Sequence, residues 1–176
     1  MSLLYVRPGD KLPHECNVII EIPKHADPVK YEVDKATGVL VVDRFISSLM
    51  RYPCNYGFIP ETIADDGDPV DVLVITPFPI VHGAIIACRP VGMLSMSDEG
   101  GDDAKIIAVP TDKLTPLYHE VETYEDLPKI TLEQIRHFFE LYKALEPGKW
   151  VKINGWMGIE AAHAEIMNGL QAYKNA

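Results

Sequence analysis

The pattern of apolar and polar positions changes period once along the chain. Val29-Lys30-Tyr31-Glu32-Val33 has an apolar side chain at every second position, as a strand with one covered face requires. The runs 17–22, 39–45, 70–75, 83–91 and 104–109 are short, rich in Val and Ile, and bounded by Gly, Pro or Asp. They read as further strands. His25-Ala26-Asp27-Pro28 and residues 34–38 are turns, and the aromatic, proline-rich segment 52–60 runs extended. From Thr131 the period becomes that of a helix, with Leu132, Ile135, Phe139 and Tyr142 on one stripe. Thr131-x-x-Gln134 has the form of a capping box, Ile130 and Ile135 can staple it, and Pro147-Gly148 supplies a stop. Residues 150–153 predict a short strand, and 159–173 a second helix with Ile159, Ala162, Ile166 and Leu170 inward. Strands first and helices last predict an α+β fold, a small β-barrel flanked by two main helices.

Composition narrows the class. The 176 residues fit one domain, 1–176, and a chain of this size buries about 70% of its unfolded surface. The formal net charge of −10 disfavours nucleic acid and anionic membrane as partners, but not a small anion. Cys16, Cys54 and Cys88 are odd in number and scattered, as free thiols in a reducing compartment would be. No charged segment followed by a long apolar one opens the chain, and no run is long enough to span a membrane, so the expectation is a soluble cytoplasmic protein without a signal peptide.

The chemistry concentrates in Asp66-Gly67-Asp68-Pro69-Val70-Asp71. Gly67 and Pro69 form a tight loop, and the strand that follows carries Asp71 into apolar surroundings, where a lone carboxylate is costly. Carboxylates about 5 Å apart repel by about 3 kcal/mol per pair at an effective dielectric of about 20. A solvated acidic turn is the plain reading. A hard divalent cation bound by Asp66 and Asp71, with Asp68 nearby, explains Asp71 better. A second acidic loop carries Asp98, Asp102 and Asp103, and Lys30, Arg44, Lys105 and Lys143 lie beside or between the two in sequence, with Tyr52, Tyr56 and Tyr142. Oxygen donors without a Cys/His cluster select Mg²⁺, Mn²⁺ or Ca²⁺ over zinc. An EF-hand fails, because its Gly and its final Glu are missing from both loops, and no P-loop motif occurs. Carboxylates for metals, with Lys, Arg and Tyr for phosphate oxygens, suit a small, highly charged phosphate compound.

At these residues the chain closely resembles the family I soluble inorganic pyrophosphatases, in their short bacterial form. The family motif Asp-x-Asp-Pro-x-Asp stands here as Asp66-Gly67-Asp68-Pro69-Val70-Asp71. Further matches are Glu21-Ile22-Pro23, Lys30-Tyr31-Glu32, Asp43-Arg44-Phe45, Tyr52-Pro53-Cys54-Asn55-Tyr56-Gly57, Asp98-Glu99, Asp103-Ala104-Lys105 and His137 to Lys143. The resemblance implies an OB-like five-stranded barrel. It implies several Mg²⁺ ions, with Mn²⁺ or other divalent ions possible, held by Asp66, Asp71 and Asp103, with Asp98, Glu21 and Glu32 serving further ions. It makes Asp68 the general base, and Lys30, Arg44, Tyr56, Lys105, Tyr142 and Lys143 the phosphate ligands, with Tyr52 close by. It implies hydrolysis of diphosphate to two phosphates by a homohexamer. A non-catalytic divalent-metal or phosphate-binding module is the competing class, since it needs the carboxylates and cations but no base. An OB-type nucleic-acid binder would need a basic aromatic face, which the −10 charge opposes.

Overall fold

In a computed structural model, which describes residues 3–176, eight strands and two α-helices follow one another in the order β1 (Cys16–Ile22), β2 (Val29–Val33), β3 (Leu40–Phe45), β4 (Asn55–Phe58), β5 (Asp71–Val74), β6 (Ile85–Asp98), β7 (Gly101–Pro110), α1 (Lys129–Leu141), β8 (Val151–Met157) and α2 (Ile159–Asn175). The main sheet runs β1-β4-β5-β7-β6-β8, and a further β1–β6 pairing closes β1, β4, β5, β7 and β6 into a five-stranded ring. The expected barrel is therefore present as a closed ring of five strands, with β8 added outside it on β6. Its ladders are antiparallel except β5–β7, which is parallel. The hairpin β2–β3 forms a separate two-stranded sheet.

Alternation along the strands splits the core into two apolar layers. On β5, Val72 and Val74 pack with Ile106, Ala162 and Ile166, the last two from α2. Leu73 pairs instead with the layer that holds Ile135, Phe138 and Phe139 of α1. Asp71 is in phase with Leu73, so it lies on the α1 side of the sheet, at the strand's first position. Gly57 permits the β1–β4 contact: a Cβ there would stand 2.0 Å from the Ile19 carbonyl oxygen.

Three departures from the sequence reading have local causes. The strand predicted over 83–91 begins at Ile85 and runs on to Asp98 as one 14-residue strand, β6. A bulge between Pro90 and Gly92 flips its phase, so that Cys88 and Met93 share one layer while Leu94 and Met96 share the other. The second acidic loop is a hairpin in which only Glu99 and Gly100 lie between β6 and β7, so Asp98, Asp102 and Asp103 are strand residues. The capping box at Thr131 does not form: α1 begins at Lys129 after Pro128, Ile130 is exposed, and the helix stops at Leu141, short of Pro147-Gly148. Tyr142 and Lys143 thus sit in the turns after α1. The three thiols are free and buried. Among the described residues no helix is long and apolar enough to cross a membrane.

Candidate active site

A cavity of about 460 Å³ opens between the β2–β3 hairpin, the loop before β5, the β6–β7 hairpin and the end of α1. Every residue to which the family resemblance gives a role lines it: Glu21, Lys30, Glu32, Arg44, Tyr52, Tyr56, Asp66, Asp68, Asp71, Asp98, Asp103, Lys105, Tyr142 and Lys143. Asp102 does not, because it alternates with Asp103 on β7; it accepts from Ser97 Oγ at 3.0 Å and borders a smaller cavity of about 240 Å³.

Backbone irregularities aim several of these side chains. Glu21 occupies the register shift between Ile20 and Ile22, where β1 pairs with β4. Such a bulge turns an extra residue out of phase, which places a carboxylate in an otherwise apolar strand. Its Oε1 accepts from the N–H of Val33 at 2.7 Å, tying β1 to the β2–β3 hairpin. On that hairpin Lys30 stands opposite Arg44, an unfavourable pairing of like charges. The register shift between Lys30 and Tyr31 leaves Asp43 as the extra residue on β3. Asp43 Oδ2 lies 2.8 Å from Arg44 Nη1 and 3.4 Å from Lys30 Nζ, an anion between the two cations. Lys30 also bonds Glu32.

The aspartate loop is held by its own backbone: the N–H of Asp68 donates to Asp66 Oδ1 at 2.9 Å, the N–H of Ala64 donates to the Asp68 carbonyl at 2.7 Å, and Gly67 has φ +84°, which favours glycine. Asp66 and Asp68 are exposed, and Asp68 Oδ1 lies 2.5 Å from Lys35 Nζ. Deeper in, Lys105 Nζ donates to Asp71 Oδ2 at 2.5 Å and to Asp103 Oδ1 at 2.7 Å. Lys143 Nζ donates to Asp98 Oδ2 at 2.6 Å and Glu99 Oε1 at 3.2 Å.

These contacts set the protonation preferences. Burial opposes charge on Lys105, but Asp71 and Asp103 outweigh it and hold the ammonium well above its ordinary value. Burial raises Asp103, with Lys105 offsetting part of the effect. Burial pushes Glu21 up from 4.5 to about 8, helped by Asp71 and Glu32 and opposed by the N–H of Val33. The phenols of Tyr52 and Tyr56 are buried and pushed well above 10.0, so both stay protonated donors near neutral pH. Among the described residues no three carboxyl, His or Cys groups converge on one point. Asp71 and Asp103 converge on a cation nonetheless, the Lys105 ammonium, so the oxygen-only donor set suits a hard divalent ion.

The comparisons agree with this geometry. The inorganic pyrophosphatase family model matches residues 18–174. The chain belongs to the inorganic pyrophosphatase family. It is 60% identical over 174 residues to an inorganic pyrophosphatase of Ralstonia nicotianae and 56% identical over 175 residues to that of Escherichia coli, with 99% of each chain covered in both cases. Among solved structures it resembles an Anaplasma phagocytophilum protein described as an inorganic phosphatase, with a TM-score of 0.94 and 49% identity over 96% of this chain and 99% of that one. It also resembles the Thermus thermophilus inorganic pyrophosphatase, with a TM-score of 0.90 and 40% identity over 99% of both chains. As a family member the chain is an inorganic diphosphatase, the class its aspartate motif pointed to.

The sequence gives no role to Lys35, Glu146 and Lys149, and Asp43 and Glu99 enter only as part of the matching segments. Lys35, Glu99 and Lys149 line the cavity, whereas Asp43 and Glu146 stand behind Arg44. Alternation would point Asp43 away from its neighbour Arg44, and only the bulge on β3 brings the two together. Glu146 carries no signal, since the sequence predicts a helix up to Pro147-Gly148 where the structure has turns.

Proposed function

We propose that this chain hydrolyses inorganic diphosphate to two phosphates with several Mg²⁺ ions, and that Asp68 is the general base. Asp66, Asp71 and Asp103 would hold the metal, and Asp98, Glu21 and Glu32 would serve further ions. Bound there, a divalent cation supplies charge neutralisation for the substrate and a lower pKa for water beside it. The observation that carries the reading is the convergence of these carboxylates with Lys30, Arg44, Lys105, Lys143 and the Tyr52, Tyr56 and Tyr142 hydroxyls on one cavity.

The chain's own residues do the remaining work. Lys30 and Arg44 on the hairpin and Tyr142 and Lys143 after α1 would grip the substrate oxygens from two sides. Tyr52 and Tyr56 stay protonated, so each can donate a hydrogen bond to a phosphate oxygen. Asp68 Oδ1 already accepts from Lys35, which leaves Oδ2 to take the proton of the attacking water. As that water's oxygen bonds to phosphorus, the bridging P–O bond breaks, and its electron pair leaves with the second phosphate. The cationic side chains stabilise the charge that develops there.

Phosphate release from diphosphate, with and without Mg²⁺, tests the reading. Binding of Mg²⁺ and diphosphate without release would favour the non-catalytic module. By resemblance the protein is one domain over 1–176 and a homohexamer; exposed Phe45, Leu49, Phe78 and Val81 support burial of surface between subunits. A monomer by sedimentation at micromolar concentration would overturn the hexamer.

A further inference from the structure

Arg44 lines the cavity, and its Nε is buried without a hydrogen-bond partner. Behind it, at 3.6 Å from Nε, is Oε2 of Glu146, whose side chain is only 10% exposed and whose other oxygen, Oε1, is also buried and unpartnered. Glu146 does not line the cavity. A carboxylate placed so deep, with one oxygen unsatisfied, is costly unless a cation holds it. Arg44 and Lys149, whose Nζ lies 3.3 Å from Glu146 Oε2, are the cations present.

The placement matters because of what each residue rides on. Arg44 belongs to the β2–β3 hairpin, which shares no ladder with the main sheet. Glu146 belongs to the turns after α1 and hydrogen-bonds through its N–H to the Lys143 carbonyl at 2.9 Å. The Arg44–Glu146 pair therefore joins the element that carries Lys30, Glu32 and Arg44 to the one that carries Tyr142 and Lys143. A guanidinium offers its donors in one rigid plane. With Asp43 at Nη1 and Glu146 at the Nε edge, that plane is fixed from two sides, and the remaining N–H groups are presented at a set angle.

We propose that Glu146 is a positioning residue: it orients the Arg44 guanidinium toward diphosphate and clamps the hairpin against the end of α1, without touching substrate itself. The proposal rests on Arg44 being a phosphate ligand. At 3.6 Å, beyond the about 2.7–2.9 Å of a charge-assisted hydrogen bond, the two groups meet as an ion pair.

A double-mutant cycle on the full-length, Mg²⁺-loaded enzyme tests it, with diphosphate as the probe and Glu146→Gln, Arg44→Ala and the double variant compared with the unaltered chain. Glu146→Gln should raise KM about tenfold, more than it lowers kcat, with Glu146→Asp intermediate. In the Arg44→Ala background Glu146→Gln should add less than about twofold, because the group it orients is gone. Thermal unfolding of each variant runs alongside. Effects that multiply in the double variant, or a kcat loss that follows a fall in unfolding temperature, would make Glu146 a structural residue and overturn the proposal. An unchanged KM in Glu146→Gln beside a raised KM in Arg44→Ala would overturn it as well. An unchanged KM in Arg44→Ala would instead overturn the phosphate-ligand reading beneath it.

Discussion

Asp71 and Lys105 are register partners across the parallel β5–β7 ladder, and the Lys105 ammonium lies 2.5 Å from the Asp71 carboxylate. The same ammonium reaches Asp103 at 2.7 Å. The carboxylate that the sequence places inside an apolar run is thus matched by a cation from within the chain. That cation is 5% exposed, so neither partner is well served by water.

Lys105→Met should leave Asp71 and Asp103, both partly buried, unopposed. Removing one partner of a buried ion pair typically costs about 3–5 kcal/mol. We expect a loss of about 3 kcal/mol in the metal-free protein, with a large part restored by Mg²⁺, since a bound cation stabilises the fold by mass action. Urea denaturation with and without Mg²⁺ measures both. Equal losses under the two conditions would mean that the metal does not share these carboxylates.

Asp68→Asn keeps the loop, because the bonds that shape it use the Asp68 N–H and carbonyl rather than its side chain. The expected effect is a fall in kcat of about 10²–10⁴-fold with metal affinity nearly unchanged, and the loss should shrink at alkaline pH as hydroxide becomes available. Steady-state kinetics across pH, beside a metal titration, decide it. Weakened metal binding with normal kcat at saturating Mg²⁺ would make Asp68 a ligand.

Glu21 links pH to stability. Burial raises its carboxyl from 4.5 to about 8, so the folded state holds the proton more tightly than the unfolded state does. Between about 4.5 and about 8 the folded state binds more protons, and stability of the metal-free protein therefore falls as pH rises through that window, levelling above it. Glu21→Gln should flatten the slope. Denaturation in the presence of chelator, from about pH 5 to about pH 9, gives the comparison, and parallel slopes for the two proteins would assign the dependence to another group.

Asn55 is fully buried and uses all its polar valence. Its Oδ1 accepts from the N–H groups of Lys24 and Ile80 at 3.0 and 2.8 Å, and its Nδ2 donates to Thr76 Oγ1 at 2.6 Å and the Val74 carbonyl at 3.4 Å. Asn55→Ala strands two backbone donors, at about 1–3 kcal/mol each. We expect about 3 kcal/mol of destabilisation by urea denaturation; a loss under about 1 kcal/mol would show that water replaces the amide.

The strands and helices were legible because their periods are clean, and the site was legible because its motif is specific. Val29–Val33 forms over the span its alternation predicts. The bulges were not legible. Nothing local in Glu21-Ile22 marks a register shift, which arises when β1 meets β4, and the phase change at Pro90–Gly92 hides the continuation of β6 beyond residue 91. Thr131 has the chemistry of a cap, but Pro128 starts the helix a turn earlier with its own carbonyl, which accepts from the N–H of Thr131 at 2.8 Å. Electrostatic partners such as Lys35 for Asp68 and Glu146 for Arg44 depend on pairs 33 and more than 100 positions apart, beyond the reach of any local pattern.

The parallel β5–β7 ladder also fixes when during synthesis the site comes into being. A parallel neighbour cannot be added by a tight turn, so β7 has to arrive by way of the long strand β6, and Asp71 meets Lys105 only after that whole excursion is laid down. Lys143 then returns to Asp98 across 45 positions. A nascent chain that has emerged as far as its aspartate loop holds the acids without their partners, and loop closure over such separations is slow. A chain that ends before Lys143 therefore lacks the cation that meets Asp98, so the cavity's ion pairs are complete only once the turns after α1 have been made.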